Sequence, residues 1–386
     1  MTQTTRATNS GGLSTRSNDP DERLAYVALA LVPGLGARRL ASLLSAFGSA
    51  RAACQVPSHR WPSPNAWQGS GAGLIRQPAM ADAAKLLNAC NARGVHLLTP
   101  DDSEFPAQLR SIPDPPTMLF ARGRLDLCAL PAVAIVGSRD HTRYGRDVAK
   151  LLGEGVAGAG VVVVSGMARG LDAVAQCAAL DGGGTTIGVL GNGIGVVYPA
   201  ANRELYDRVE SSGLLLTENR PGERPTAGSF PRRNRLISGL ARVVVVVEAA
   251  KGSGTLVTVA AALEQGREVM AVPGPITSPT SEGTNQLLKD GADPILHLND
   301  LLAKYSGAAP MIARESDQPR LPPCNLSGNE AMAFNALTAE PRHVDEVAER
   351  TGLPIGLLLG VLCGLELGGL AEQLPGSLFR RPIGRG

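Results

Sequence analysis

The sequence predicts an α/β protein organised around a doubly wound, mostly parallel sheet. From about residue 131 onward, apolar runs of strand length alternate with stretches of helical periodicity in a βαβ rhythm. Two of those runs, 161–164 and 243–247, are valine throughout. A strand with one wet face alternates apolar and polar residues, so unbroken runs fit strands covered on both faces. Glycine-rich turns follow several strands, at the edge where open sheets of this Rossmann-like class bind ligands.

At 386 residues the chain has room for two or three domains. Residues 1–20 are polar, which predicts a disordered tail without the apolar stretch of a secretion signal. Residues 21–99 read as a small helical domain of the helix-hairpin, SAM-like kind. Leu29, Leu31, Leu40, Leu43, Leu44 and Phe47 recur at helical spacing around Pro33-Gly34-Leu35-Gly36. That hairpin is either a structural turn or a place where backbone N–H groups meet a phosphate. A loop over 56–78, a helix over 81–93 and a short strand over 95–98 complete the domain.

The core is expected over 100–304. Its strands are placed at 133–136, 161–164, 185–190, 214–217, 243–247 and 268–272, and its helices at 145–159, 171–180, 202–210, 232–240 and 255–264. A proline-rich linker is expected over 305–326. Residues 327–386 give three helical patterns and a short strand pair, the order of a winged-helix domain. Five arginines against seven acids leave that segment net negative, and its third helix, 354–367, has no Lys or Arg. Reading DNA depends on such side chains, so packing or protein contact is expected there.

Net charge is only +2, so binding a polyanion requires charge gathered locally. Aromatics make up 3% of the chain, so an exposed one is conspicuous. Six cysteines without C-x-x-C, and five histidines without ligand spacing, argue against a disulfide framework, a metal or another cofactor. With no apolar run of about 18 residues, a soluble cytoplasmic protein with no membrane partner is expected.

The residues after the strands share a chemistry. They are Gly137-Ser138-Arg139, Ser165-Gly166-Met167-Ala168-Arg169-Gly170, Gly191-Asn192-Gly193, and Glu248 followed by Gly252-Ser253-Gly254-Thr255. Glycine lets backbone approach a phosphate, hydroxyls and helix N–H groups donate to it, and the helix dipole favours its charge. The sharpest feature is Phe230-Pro231-Arg232-Arg233-Asn234-Arg235. With Pro231 as first helical residue, three arginines would crowd the first turn, each disfavoured there by ~0.3–1 kcal/mol. No acid occurs between Glu223 and Glu248, while five arginines do. Such a cluster suggests an anionic ligand, with Phe230 either stacking on a base or serving as a hydrophobic staple.

These segments, with Tyr198-Pro199 and Asn202, Ala262-Leu263-Glu264-Gln265-Gly266-Arg267, Val272-Pro273-Gly274 and Gly283-Thr284-Asn285, resemble the DprA/Smf family in its order. The resemblance implies a non-enzymatic protein that binds single-stranded DNA as a homodimer and loads RecA recombinase onto it during natural transformation. It implies a DNA pocket made by Ser138, Arg139, Gly166, Arg169, Phe230, Arg232, Arg233, Asn234 and Arg235, to which the glycine-turn chemistry adds Gly254 as a DNA-binding candidate. Two departures are modest: Ser229 where asparagine is common, and Gln176 where histidine is frequent.

The alternative is a nucleotide phosphoribohydrolase of the lysine-decarboxylase-like Rossmann type. Aligning Gly254-Thr255 with its motif puts Thr258 where the catalytic glutamate belongs, and threonine cannot do that acid–base work. The chain also lacks G-x-x-x-x-G-K-[ST] and, after its first core strand, G-x-G-x-x-G, which argues against a P-loop NTPase and a dinucleotide oxidoreductase.

Overall fold

A computed structural model describes residues 19–62, 76–305, 326 and 328–381. Most of the expected 1–20 tail and nearly all of the expected linker lie outside the described residues, as does Cys324. The chain divides into two compact units, 1–309 and 310–386.

The first unit opens with helices α1 (Pro20–Ala30), α2 (Ala37–Phe47), α3 (Ala50–Gln55) and α4 (Met80–Ala92). Asp19 caps α1 by accepting from the Asp21 N–H, with Pro20 at the first position, and Gly48 ends α2 in the left-handed region at φ 77°. Leu29, Leu40, Leu43 and Trp61 form a local core, the Trp61 indole donating to the carbonyls of Ala53 and Val56. These helices do not stand apart from the sheet. Val27, Ala28, Ala83 and Cys90 share one buried cluster with Phe120, Leu190, Tyr206 and Leu215.

The sheet has nine strands: β1 (His96–Leu98), β2 (Leu119–Gly123), β3 (Ala132–Val136), β4 (Val162–Ser165), β5 (Thr186–Val189), β6 (Leu214–Thr217), β7 (Val243–Val246), β8 (Glu268–Ala271) and β9 (Asp293–Pro294). Their spatial order is β1-β2-β6-β5-β4-β3-β7-β8-β9. Every pair from β6 to β9 is parallel, while β1–β2 and β2–β6 are antiparallel. Six of the seven parallel strands stand within a residue or two of the expected positions. β2 was not expected, because its short run carries no period of its own and is fixed by pairing with β1 and β6. Strands β3–β7 are buried along their whole length, as the valine runs require.

Between the strands run α5 (Ala107–Arg110), α6 (Arg143–Gly158), α7 (Leu171–Asp181), α8 (Arg203–Ser212), α9 (Ser229–Leu240), α10 (Thr255–Glu264), α11 (Glu282–Lys289) and α12 (Leu298–Leu302). One face of the sheet is packed by Leu109, Leu236, Ile237, Leu240 and Val259 of α5, α9 and α10. The other is packed by Leu152, Val156, Leu171, Ala175 and Leu301 of α6, α7 and α12.

The second unit contains α13 (Gly328–Ala336), β10 (Arg342–His343), α14 (Val344–Thr351), α15 (Ile355–Leu367), β11 (Glu372–Leu374) and β12 (Leu378–Arg380), with strand order β10-β12-β11. Three helices and a hairpin around Leu337, Val347, Leu358, Leu362 and Phe379 make a winged helix with its own core. Among the described residues no single helix is long and apolar enough to cross a membrane.

Candidate nucleic-acid interface

The C-terminal ends of β5, β4 and β3 and the start of α9 enclose a cleft of about 260 Å³, lined by Arg139, Gly166, Asn192, Tyr198, Phe230 and others. A second hollow of about 550 Å³ adjoins it, with Ser138, Arg139, Asn234, Ser253 and Gly254 among its lining. Phe230 and Arg139 belong to both, so Phe230 stands on the ridge between them. Its ring lies 5.5 Å from that of Tyr198 at a 36° tilt, and the Arg139 guanidinium sits 6.0 Å from its centroid. Tyr198 is 48% exposed. Sequence reasoning met Tyr198 only through the family resemblance, although the scarcity of aromatics was a signal that could have singled it out.

The three arginines of α9 have three different environments. The helix begins at Ser229, two residues earlier than expected, after a turn in which Ser229 Oγ donates to the Thr226 carbonyl. Pro231 is therefore the third helical residue, where its missing N–H still costs nothing. Arg233 and Arg235 then fall beyond the first turn, and the macrodipole argument applies to Arg232 alone. The arginine segment is also not free of acids, because Glu218 and Asp114 reach it from elsewhere in the chain. Arg235 is 13% exposed and its Nη2 donates to both oxygens of Glu218 at 2.7 Å, with Glu218 itself 11% exposed. Its Nε faces Asp114 Oδ2 at 3.0 Å. Arg232, 67% exposed, has Glu218 3.7 Å away and projects to solvent.

Arg233 is 7% exposed and donates to the carbonyls of Gly166 and Val189, bracing the ends of β4 and β5 beneath the cleft. Burial pushes its pKa down to about 10, against the pull of nearby Asp172. Burial likewise pushes the Asp172 carboxyl up, while Arg233 and backbone N–H groups oppose the shift. Gly166 is glycine because Arg233 and Asp172 occupy the space of a side chain, and its N–H donates to Asp172 at 3.0 Å. That amide is therefore taken.

The expected row of four anion-binding turns is thus partly filled from within. The N-terminus of α6 holds the buried Glu248 carboxylate, which accepts from the Thr142 N–H at 2.9 Å and from the Thr142 hydroxyl, and leaves no room for a Cβ on Gly145. Asp172, in the first turn of α7, instead takes the Gly166 amide of the turn before that helix, whose own start carries no side-chain cap. The starts of α9 and α10 carry no side-chain cap, and Gly254 is open around its Cα. Arg169 is exposed and pairs with Asp140 at 2.8 Å, a surface contact that a phosphate can replace at little cost. Ser138 Oγ donates to the Asp140 carbonyl, and Asn234 is half-buried on the wider hollow. Ser138, Arg139, Arg169, Phe230, Asn234 and Gly254 therefore face the clefts, Gly166 and Arg233 form part of their floor, Arg232 stands at their flank, and Arg235 supports them from beneath.

Among the described residues no group of three or more His, Cys, Asp or Glu side chains is placed to hold a metal. Thr258, where a phosphoribohydrolase would need its glutamate, is buried on α10.

Residues 96–306 match the family model described as DNA recombination-mediator protein A, and residues 317–377 match the DprA winged helix domain. The chain belongs to the DprA/Smf family. Its relatives in that family include the Protein Smf of Escherichia coli strain K12, 41% identical over 291 residues that cover 74% of this chain and 77% of the relative. The putative DNA processing protein DprA of Mycobacterium tuberculosis strain H37Rv is 38% identical over 368 residues, covering 92% and 93% of the two chains. Among solved structures, DNA processing protein A from Streptococcus pneumoniae superposes with a TM-score of 0.60 at 33% identity, covering 74% of this chain and 98% of that one. That of Helicobacter pylori, described for its single-stranded DNA binding mode, gives 0.52 at 29% identity over 56% of this chain and 97% of that one.

Proposed function

We propose that this member of the DprA/Smf family binds single-stranded DNA along the cleft pair and, as a homodimer, hands the strand to a RecA-type recombinase without catalysing a reaction itself. The observation that carries the reading is the exposed Tyr198 ring against the half-buried Phe230, with Arg139 beside them, in a chain where aromatics are 3% of residues. Stacking on such rings is worth ~1–3 kcal/mol per base and is indifferent to sequence, because every base has a π-face. Arg139, Arg169 and Arg232 are exposed for the phosphates, and a duplex would hide the base faces the aromatics need. The binding mode described for the Helicobacter pylori relative supports the same assignment.

The test is a salt titration of binding to a homopyrimidine strand and to the matching duplex. Preference for the strand, with affinity falling as salt rises, is the expected result; equal affinity for both would overturn it. For self-association, Leu287 and Ile295 turn into the unit's own core, while Ile276 in the loop after β8 and Leu296 just after β9 stay exposed. Replacing Ile276 and Leu296 with Glu is expected to give a monomer by sedimentation. A variant that stays dimeric would move the interface elsewhere.

A further inference from the structure

Beyond the β6 side of the rim lies another cavity of about 550 Å³. Its walls are α1 with the hairpin after it, the 76–79 segment with α4, and the loop after β6. Arg76, Lys85 and Arg220 face it from three separate elements. All three are exposed, and among the described residues none pairs with a carboxylate. One acid, Asp82, shares the lining, in the first turn of α4 where the helix dipole favours it. The 76–79 segment is held in place: Gln77 accepts from the Ser58 N–H at 2.8 Å and donates to the Cys54 carbonyl at 3.1 Å.

The wall between this groove and the aromatic cleft is one layer of backbone. Asn192 lines the cleft, and Gly193 beside it presses so closely on the Arg220 carbonyl that a Cβ has no room. The Gly193 N–H donates to the Glu223 carbonyl and the Gly222 N–H to the Ile194 carbonyl, both at 2.9 Å. Arg220 then opens onto the groove. Among the described residues no aromatic lines it, and its floor of Ala28, Leu31, Val32 and Leu86 offers aliphatic surface. Charge therefore has to carry any binding there.

We propose that the groove is a second subsite for the same polyanion, in which the sugar-phosphate backbone of a strand leaving the aromatic cleft crosses the Arg220 loop and is held by Arg220, Lys85 and Arg76. It rests on the reading of the rim as a single-strand site. A strand too short to leave the cleft does not reach it, and a longer one does.

The experiment compares oligothymidines of about 6 and about 25 nucleotides on the full chain, its Lys85→Ala/Arg220→Ala variant and the charge-preserving Lys85→Arg/Arg220→Lys variant. Neither side chain has a partner to lose, so all three proteins should melt together. The alanine variant is expected to bind the short strand within about twofold of the parent, and the long strand more weakly, with a log–log salt slope flatter by about 1.4. Between 50 and 200 mM salt the parent's long-strand affinity should then fall about sevenfold further than the variant's. The charge-preserving variant should keep the parent's slope. An unchanged long-strand slope, or equal weakening at both lengths, overturns the subsite while leaving the rim reading intact. A parent that binds neither strand defeats the rim reading itself.

Discussion

Arg232 and Arg235, three residues apart on α9, are expected to fail in opposite ways when replaced by alanine. Arg235 and Glu218 are almost fully shielded and meet through two 2.7 Å contacts. Removing one partner of a buried pair costs ~3–5 kcal/mol, because the other charge is left without compensation. Arg232 stays 3.7 Å from Glu218 and softens that loss, which puts Arg235→Ala at the low end, about 3 kcal/mol. For a folding unit of roughly 300 residues, at ~2.1 cal/mol/K of unfolding entropy per residue, this lowers the melting temperature by roughly 5 °C. Strand binding measured well below that transition should keep its salt slope, since Arg235 does not face the clefts. Arg232→Ala removes an exposed charge whose contact with Glu218 is long, so stability should move by less than about 0.5 kcal/mol. Its salt slope should flatten by about 0.7, the value for one phosphate contact on a single strand. Paired melting curves and salt titrations decide the matter. An Arg235→Ala protein that melts like the parent but binds with a flatter slope would show that Glu218 does not need its arginine, and would refute the division of roles.

The aromatic pair gives a different signature. Phe230→Ala or Tyr198→Ala should each lower strand affinity by ~1–3 kcal/mol with an unchanged salt slope, because stacking releases no counterions. Removing residues 310–386 should leave strand affinity within a few-fold, since that unit has its own core and α15 carries no Lys or Arg; a tenfold loss would place DNA on the winged helix. Burial pushes the Cys128 thiol up to about 12 and the Cys90 thiol to about 11, whereas Cys363 is exposed. A maleimide at neutral pH should therefore label Cys363 quickly, and Cys90 and Cys128 only after unfolding, as mass spectrometry of digests would show.

The parallel strands were legible because burial on both faces leaves a compositional trace, and the valine runs are that trace. Strand β2 leaves none, since its place depends on β1 and β6 supplying hydrogen bonds from either side. The arginine cluster was legible as a concentration of charge, but its division among solvent, carbonyls and acids was not. Glu218 lies 17 residues from Arg235, and the two carbonyls that take Arg233 lie 44 and 67 residues from it. Only the folded sheet brings them together. The start of α9 was misplaced because proline is tolerated throughout the first helical turn, so Pro231 marks the turn without fixing its first residue.

Glu248 has a consequence for selectivity. In dinucleotide-binding sheets the first βα junction is where a pyrophosphate settles on a helix N-terminus. In this protein a built-in carboxylate already occupies the corresponding place at α6. A free nucleotide arriving there meets a resident negative charge that cannot diffuse away. The carboxylate thereby fills the seat that a pyrophosphate takes in dinucleotide-binding sheets, and the uncapped helix starts of α9 and α10 stand farther along the rim. Any phosphate drawn to this rim is then turned away from α6 and toward those two helix starts.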